Sequence, residues 1–209
     1  MATLYKLTRQ DNTTSGDTTL EWGAGVSHTA TGPGTLLCSR DVIHAYTHPL
    51  LAVLLSPRYS DYENPKLWRC EGEVVADDHG LIVGVKTLTT IEKMPLPILT
   101  IEQRVKFAIL CAKHICKREG CNTWADKWLS GEDRSPASAR KLDPPWGCVC
   151  CFWTAQAAAN AGGSCLSGLI VASVAREVAA MAERAARWAI VTKMLPLNLI
   201  DLAEQAIQI

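Results

Sequence analysis

The sequence carries no excess of charge of either sign. Its 209 residues include 21 Lys plus Arg and 21 Asp plus Glu, so the formal net charge is zero. Proteins that bind duplex nucleic acid usually show a basic excess, and this balance therefore argues against a duplex-binding surface. Apolar residues make up 48% and charged residues 20%, a composition typical of a folded chain rather than a disordered one.

The familiar catalytic motifs are missing as well. The glycine loops Gly23-Ala24-Gly25 and Gly32-Pro33-Gly34 lack the following Lys-Ser/Thr of a phosphate-binding loop. There is no G-x-S-x-G, no H-E-x-x-H and no Rossmann glycine fingerprint after a predicted strand. No motif therefore fixes a reaction, and function has to be argued from clusters of side chains.

Secretory and membrane signals are weak. Nine cysteines cannot all pair within one chain, and Met1 to Gln10 contains no apolar run of a signal peptide. Residues 144–175 contain no charged side chain, but glycines and polar residues interrupt them. We therefore expect a cytoplasmic protein without membrane contact, and two Ala-rich helices at 144–175.

The sequence pattern changes near residue 98 from short segments separated by turns to long segments with helical spacing. This change predicts an α+β protein with two domains. Residues 1–98 contain turn signals between short segments, as expected for a small mixed or antiparallel sheet. Residues 99–209 are rich in Ala and show helical spacing of apolar residues, which indicates a helical bundle.

In the first domain, strands are expected at 4–8, 66–75 and 81–91, with Lys86 pointing outward. In 66–75, alternation places Leu67, Arg69, Glu71 and Glu73 on one face. Asp77 to Gly80 reads as a turn. Pro49 fits the first turn of a helix and predicts a short helix here. This helix would be apolar nearly all round and should therefore be buried.

In the second domain, Thr100-Ile101-Glu102-Gln103 has the form of a capping box. The helix that it begins is expected to end near Gly120, and Asn122 to cap the next helix. A polar, Pro-rich surface loop is expected over 131–146. Helices over 173–193 and 198–209 complete the predicted bundle.

His44, Tyr46 and His48 form an alternating cluster just before Pro49. In an extended segment these three side chains share a face, so they could line one cleft and bind a phosphate or polarise a substrate. The alternative is that they pack the junction between strand and helix. We also expect Arg9 among the ligand-binding residues.

Cysteine and histidine spacing suggests a metal site as a second alternative. Cys111 and His114 lie three residues apart on a predicted helix, and Cys148 and Cys151 have the C-x-x-C form. Together they could supply the four ligands of a tetrahedral zinc site. The alternative is that these cysteines pack in the core as small apolar residues. Zinc is therefore not the expected cofactor.

The order of motifs resembles a group of phage and bacterial proteins. The similar segments are Leu4-Tyr5-Lys6, Leu37-Cys38-Ser39, His44-Ala45-Tyr46, Pro49-Leu50-Leu51-Ala52, Leu67 to Val74 and Val85 to Thr89. This resemblance implies an accessory protein that binds a host protein or a small nucleotide-like ligand, for instance in counter-defence. A virion or assembly component, forming a homo-oligomer, is a further alternative.

The order of elements in residues 1–98 also resembles, more distantly, the ADP-ribosyltransferase fold. That resemblance implies NAD as cofactor, with Arg9 or His28 near the first position of its site. Tyr46 would take the middle position beside His44, and Glu73 the last. Tyr5-Lys6-Leu7 stands where that fold has His-Gly-Thr or Arg.

Overall fold

The computed structural model describes residues 1–14, 20–55, 64–142, 154–155, 157–158, 178, 180–182, 184–188 and 197–208. The chain divides into two compact units, Met1–Ile98 (unit 1) and Leu99–Ile209 (unit 2). The described residues of unit 1 form an antiparallel sheet and one helix, and the described elements of unit 2 are helices. The protein is therefore of the α+β class, as predicted.

Unit 1 is built on two long strands joined by a tight turn. The strands are β1 (Ala2–Thr8), β2 (Ser27–Thr29), β3 (Ile43–Ala45), β4 (Lys66–Asp77) and β5 (Val83–Met94). The turn between β4 and β5 places His79 and Gly80 at positive φ, and the Asp77 carboxylate accepts from the Gly80 N–H at 2.8 Å. The predicted turn at 77–80 is thus confirmed.

The sheet curls until its first strand meets the segment after β3. Hydrogen-bonded neighbours run β1-β4-β5-β2, all antiparallel, and β3 pairs with β5 next to β2. Tyr5 and Tyr46 then exchange two backbone hydrogen bonds, of 2.8 and 2.9 Å. Register shifts in β4 near Cys70 and on either side of Val74 mark bulges, which bend strands and increase their twist. A partly closed barrel results.

The two faces of this sheet bury different residues. The inner face carries a core made up of Leu4, Trp22, Ile43, Ala45, Trp68, Cys70, Val83, Val85 and Leu88. On the outer face, Leu7 and Leu67 pack against Ala52. Ala52 belongs to α1 (Pro49–Leu55), whose residues 50–55 are all buried. The predicted apolar helix is confirmed, and its contact explains why Leu67 is buried although its face continues with charged residues.

Unit 2 contains α2 (Ile101–Ile115), α3 (Glu119–Ser130), α4 (Pro136–Arg140) and α5 (Leu199–Ile207). The capping box is confirmed: the Thr100 hydroxyl accepts from the Gln103 N–H, and the Gln103 side chain accepts from the Thr100 N–H. Helix α3 ends at Gly131 with a left-handed backbone. The other described residues between 154 and 188 are also helical.

Three expectations for unit 2 were wrong. Helix α2 ends at Ile115, five residues before Gly120, and α3 begins at Glu119 rather than after Asn122. Asn122 lies inside α3, and its side chain donates to the Cys116 carbonyl at 3.2 Å. The expected loop over 131–146 contains α4, because Ser135 caps the Ser138 N–H and Pro136 fits the first helical turn.

Other expectations fall on residues that are not fully described. The expected helix over 173–193 and the Ala-rich helices at 144–175 lie largely outside the described residues, as do Cys148 and Cys151. The helix expected at 198–209 is α5, capped by Asn198. Among the described residues, every helix is too short or too polar to span a bilayer.

Strands β4 and β5 approach each other closely at Gly72, and a substitution there tests this packing. A Cβ at this position would lie 2.8 Å from the Thr87 carbonyl oxygen and 3.2 Å from Val85 Cγ1. We expect Gly72→Ala to lower the free energy of unfolding by about 1–3 kcal/mol, because the two strands must separate. Gly23→Ala is the matched control, since its Cβ meets only Val26 at an ordinary 3.5 Å. Urea unfolding followed by tryptophan fluorescence measures both; equal losses would contradict the packing described.

Candidate functional site

The His44, Tyr46 and His48 side chains serve three different parts of unit 1. His44 Nε2 accepts from the Cys38 N–H at 2.9 Å. The Tyr46 side chain packs on the outer face with Leu7 and Leu67. His48 Nδ1 accepts from the Leu50 N–H at 3.3 Å and so caps α1. The three residues thus act at the junction of strand, loop and helix, as the packing alternative predicted.

The structure does not bring Tyr46 and Glu73 together. Tyr46 bridges to Tyr5, and Tyr5 is the register partner of Arg69 on β4. Glu73 is exposed and lies four residues further along that strand, which corresponds to roughly 13 Å at the usual rise per residue. Tyr46 and Glu73, which the ADP-ribosyltransferase resemblance would place in one NAD-binding cleft, therefore lie apart.

Arg9 and His28 also lie at separate places. The Arg9 N–H donates to the Thr13 carbonyl at 2.9 Å in the turn after β1. On β2, His28 Nε2 lies 2.7 Å from the Glu21 carbonyl oxygen, and its ring meets Trp22 edge-on, with centroids 4.6 Å apart. Both residues thus contact the segment that connects β1 with β2.

The described half of the alternative zinc site, Cys111 and His114, differs in exposure. Cys111 is buried, whereas His114 is exposed and its Nδ1 lies 3.1 Å from the Leu110 carbonyl of the preceding turn. The Cys111 thiol thus lies in the core of unit 2, whereas the His114 ring lies at the surface. Within the described residues, no three His, Cys, Asp or Glu side chains gather as metal ligands.

Sequence reasoning missed Lys6, which lies on the inner face of the sheet. Its Nζ donates to the His44 carbonyl at 3.0 Å and lies 5.0 Å from the centroid of the Trp22 ring. Burial lowers the pKa of Lys6 to about 8. The sequence shows only that Lys6 shares a strand face with Leu4 and Thr8; that this face is buried is seen in the structure.

Lys6 also influences its neighbours on the inner face. Burial raises the pKa of the Cys70 thiol to about 12, and the Lys6 charge opposes that rise. Burial, followed by the repulsion of the Lys6 charge, holds the pKa of His44 below its usual range. A neutral His44 ring is also what its hydrogen bond requires, since Nε2 must be unprotonated to accept from Cys38.

The loop over residues 32–41, here called the braced loop, is held by Lys86. The sequence suggested that Lys86 points outward, but its ammonium donates to three loop carbonyls. These belong to Gly32 at 3.0 Å, Asp41 at 2.8 Å and Gly34. An ammonium has three donors, so this contact engages the whole group. The structure thus assigns Lys86 to the loop rather than to open solvent.

Asp41 completes the support of the braced loop from within. Its carboxylate accepts from the backbone N–H of Leu36 at 3.2 Å. Hydrogen bonds from the backbone of Gly34, then from Leu36, lower the pKa of Asp41. A Cβ on Gly32 or Gly34 would collide with the Asp41 carboxylate, so both glycines are required for this close approach.

The braced loop holds one residue in a strained conformation while exposing its tip. Cys38 has φ 60°, in the left-handed region that non-glycine residues rarely adopt. Such strain persists only where surrounding contacts determine the backbone, and it concentrates at functional sites. The Leu36 side chain is 70% exposed at this tip. A fixed backbone that presents an apolar side chain can bind another surface with little loss of entropy.

Comparison with known proteins adds no assignment. No family model, no curated protein and no solved structure matches this chain. The two resemblances noted in the sequence therefore stay predictions, and the functional argument rests on the geometry of unit 1.

The bond between Cys38 and His44 predicts a pH dependence of stability. Because burial lowers the folded pKa of His44, the unfolded state takes up a proton first as the pH falls. We expect the free energy of unfolding to fall as the pH drops below about 6.5 and through the folded pKa. His44→Gln is the control, since an amide oxygen can accept the same bond without titrating. Urea unfolding at several pH values measures this; identical pH profiles would exclude it.

The pKa of Lys6 can be measured directly. We expect one lysine signal to titrate near pH 8 in NMR spectra of isotope-labelled lysines, and to vanish in Lys6→Met. Because the folded pKa lies below the unfolded value, the free energy of unfolding should rise between about pH 8 and 10.5. A titration of the Lys6 signal at the upper end of that interval would show that its ammonium is not desolvated.

Proposed function

We propose that this chain is a phage-type accessory protein that acts by binding, and that the braced loop contacts a host protein. The observation that carries this proposal is the contrast within the loop. Lys86, Asp41 and His44 fix its backbone, while Leu36 is exposed at its tip. Binding residues commonly lie on loops that a rigid scaffold positions.

A protein surface is the partner that this geometry suits best. An exposed leucine gains free energy when it enters an apolar pocket of a partner, and a fixed backbone avoids the cost of ordering the loop on binding. Arg40 adds a cation at the rim of the same loop. A nucleotide-like ligand is the alternative, and counter-defence is the role that the phage resemblance implies.

We also propose that residues 99–209 form an Ala-rich helical bundle. The described part supports this through a buried core shared by α2, α3 and later helical residues. Val105, Trp128, Ala158 and Val178 all belong to that core. Small side chains at Ala108, Ala182 and Ala185 form a second contact, and such residues let helix axes approach closely.

Site-specific photocrosslinking in bacterial cells tests the binding proposal. A photoreactive residue at position 36 should capture one defined host protein, whereas the same residue at exposed Thr3 on β1 should not. Lys86→Met should reduce capture from position 36, because the loop loses three hydrogen bonds while Leu36's neighbours stay unchanged.

Three outcomes would contradict the proposal. These are equal capture from positions 36 and 3, capture that Lys86→Met leaves unchanged, and a nucleotide bound to the purified protein in native mass spectrometry without any captured protein. The last result would favour the small-ligand alternative instead.

A further inference from the structure

A small pocket lies where α2 and α3 meet in unit 2. Its cavity measures about 10 Å³, about the space that one water molecule needs, and Cys116, Cys121, Asn122 and Trp124 are among its lining residues. Pockets that hold drug-sized ligands measure about 300–1,000 Å³, so this one is far too small for a nucleotide. The two thiols that line this small space are its most reactive groups.

Several contacts hold Cys116 and Cys121 on opposite sides of a tight connection. Cys116 ends α2, and its N–H donates to the Ala112 carbonyl at 2.8 Å. Cys121 lies in the first turn of α3, next to Asn122, whose amide donates to the Cys116 carbonyl at 3.2 Å. An ion pair between Lys113 and Asp126 joins the same two helices.

We infer that Cys116 and Cys121 form a reversible dithiol–disulfide pair that fastens α2 to α3. A disulfide requires two Cα atoms within about 4.4–6.8 Å, a separation that a short connection between two helix ends favours. Neither sulfur is in a disulfide bond in the structure. Of the described cysteines, these two line the pocket, whereas Cys38, Cys70 and Cys111 do not.

The oxidant would be a low-molecular-weight disulfide such as glutathione disulfide. One protein thiolate attacks it, forms a mixed disulfide and releases one glutathione thiol. The second protein thiolate then attacks the mixed disulfide, forms the Cys116–Cys121 bond and releases the second glutathione thiol. The protein loses two electrons and two protons, and glutathione disulfide gains both.

Trp124 provides a reporter of this reaction. Its side chain is 8% exposed, and its Nε1 has no hydrogen-bond partner among the described residues. Because Trp124 lines the pocket together with both cysteines, oxidation changes the environment of its ring. Fluorescence can therefore follow the reaction without labelling.

Peptide mapping of the full-length protein tests the inference. Trypsin cleaves after Lys113, Lys117 and Arg118, which places Cys116 in peptide 114–117 and Cys121 in peptide 119–127. After incubation with glutathione disulfide, we expect these two peptides to be joined, with a mass lower by two hydrogen atoms than their sum. Dithiothreitol should separate them and restore the tryptophan fluorescence.

Two variants serve as controls. Cys116→Ser should lose the joined peptides and leave Cys121 as a mixed disulfide with glutathione, whereas Cys111→Ser should retain the joined peptides. The peptide map of the wild-type protein tests the disulfide directly. It therefore remains decisive if either substitution impairs folding. Only mixed disulfides at Cys116 or Cys121, or a bond from either to a different cysteine, would overturn the inference.

Discussion

The contact between Lys86 and the carbonyl groups of the 32–41 loop is the interaction on which this account of unit 1 depends. One ammonium on β5 binds carbonyls near both ends of the loop, in addition to the backbone hydrogen bond from the Gly32 N–H to the Arg40 carbonyl. These carbonyls are partly buried, and carbonyls shielded from water without donors cost free energy, so we expect the loop to loosen when the lysine is removed. The Asp41 carboxylate packs against Gly32 and Gly34 in the loop that this contact holds.

A second lysine plays a related part on the inner face of the sheet. The Tyr5–Tyr46 pairing is a single antiparallel bridge, and Lys6 is the next residue of β1. Lys6 donates to the His44 carbonyl at that point, and the His44 ring supports Cys38 in turn. Both ends of the candidate loop are thus tied to strands of the curled sheet.

Local patterns predicted much of the fold but little of the candidate site. Alternation in β4 as far as Gly72, the turn at Gly80 and the capping box at Thr100 depend on neighbours in sequence, and the structure confirms them. Beyond Gly72, bulges interrupt the alternation and Val74 is exposed. The destinations of Lys86 and of the His44 ring depend on strands that pair across about 40 residues, and alternation alone does not encode which loop they meet. Lys6 was overlooked because its burial requires the sheet to curl.

Hydrogen–deuterium exchange of single amides, followed by NMR, tests the central contact most directly. The N–H groups of Gly32, Leu36 and Cys38 donate to Arg40, Asp41 and His44, so we expect slow exchange in the wild type despite the exposure of this region. Lys86→Met should speed exchange at all three by about tenfold or more, as expected when about 1.4 kcal/mol of local stability is lost. Fast exchange at these amides in the wild type, or unchanged rates in Lys86→Met, would contradict the account.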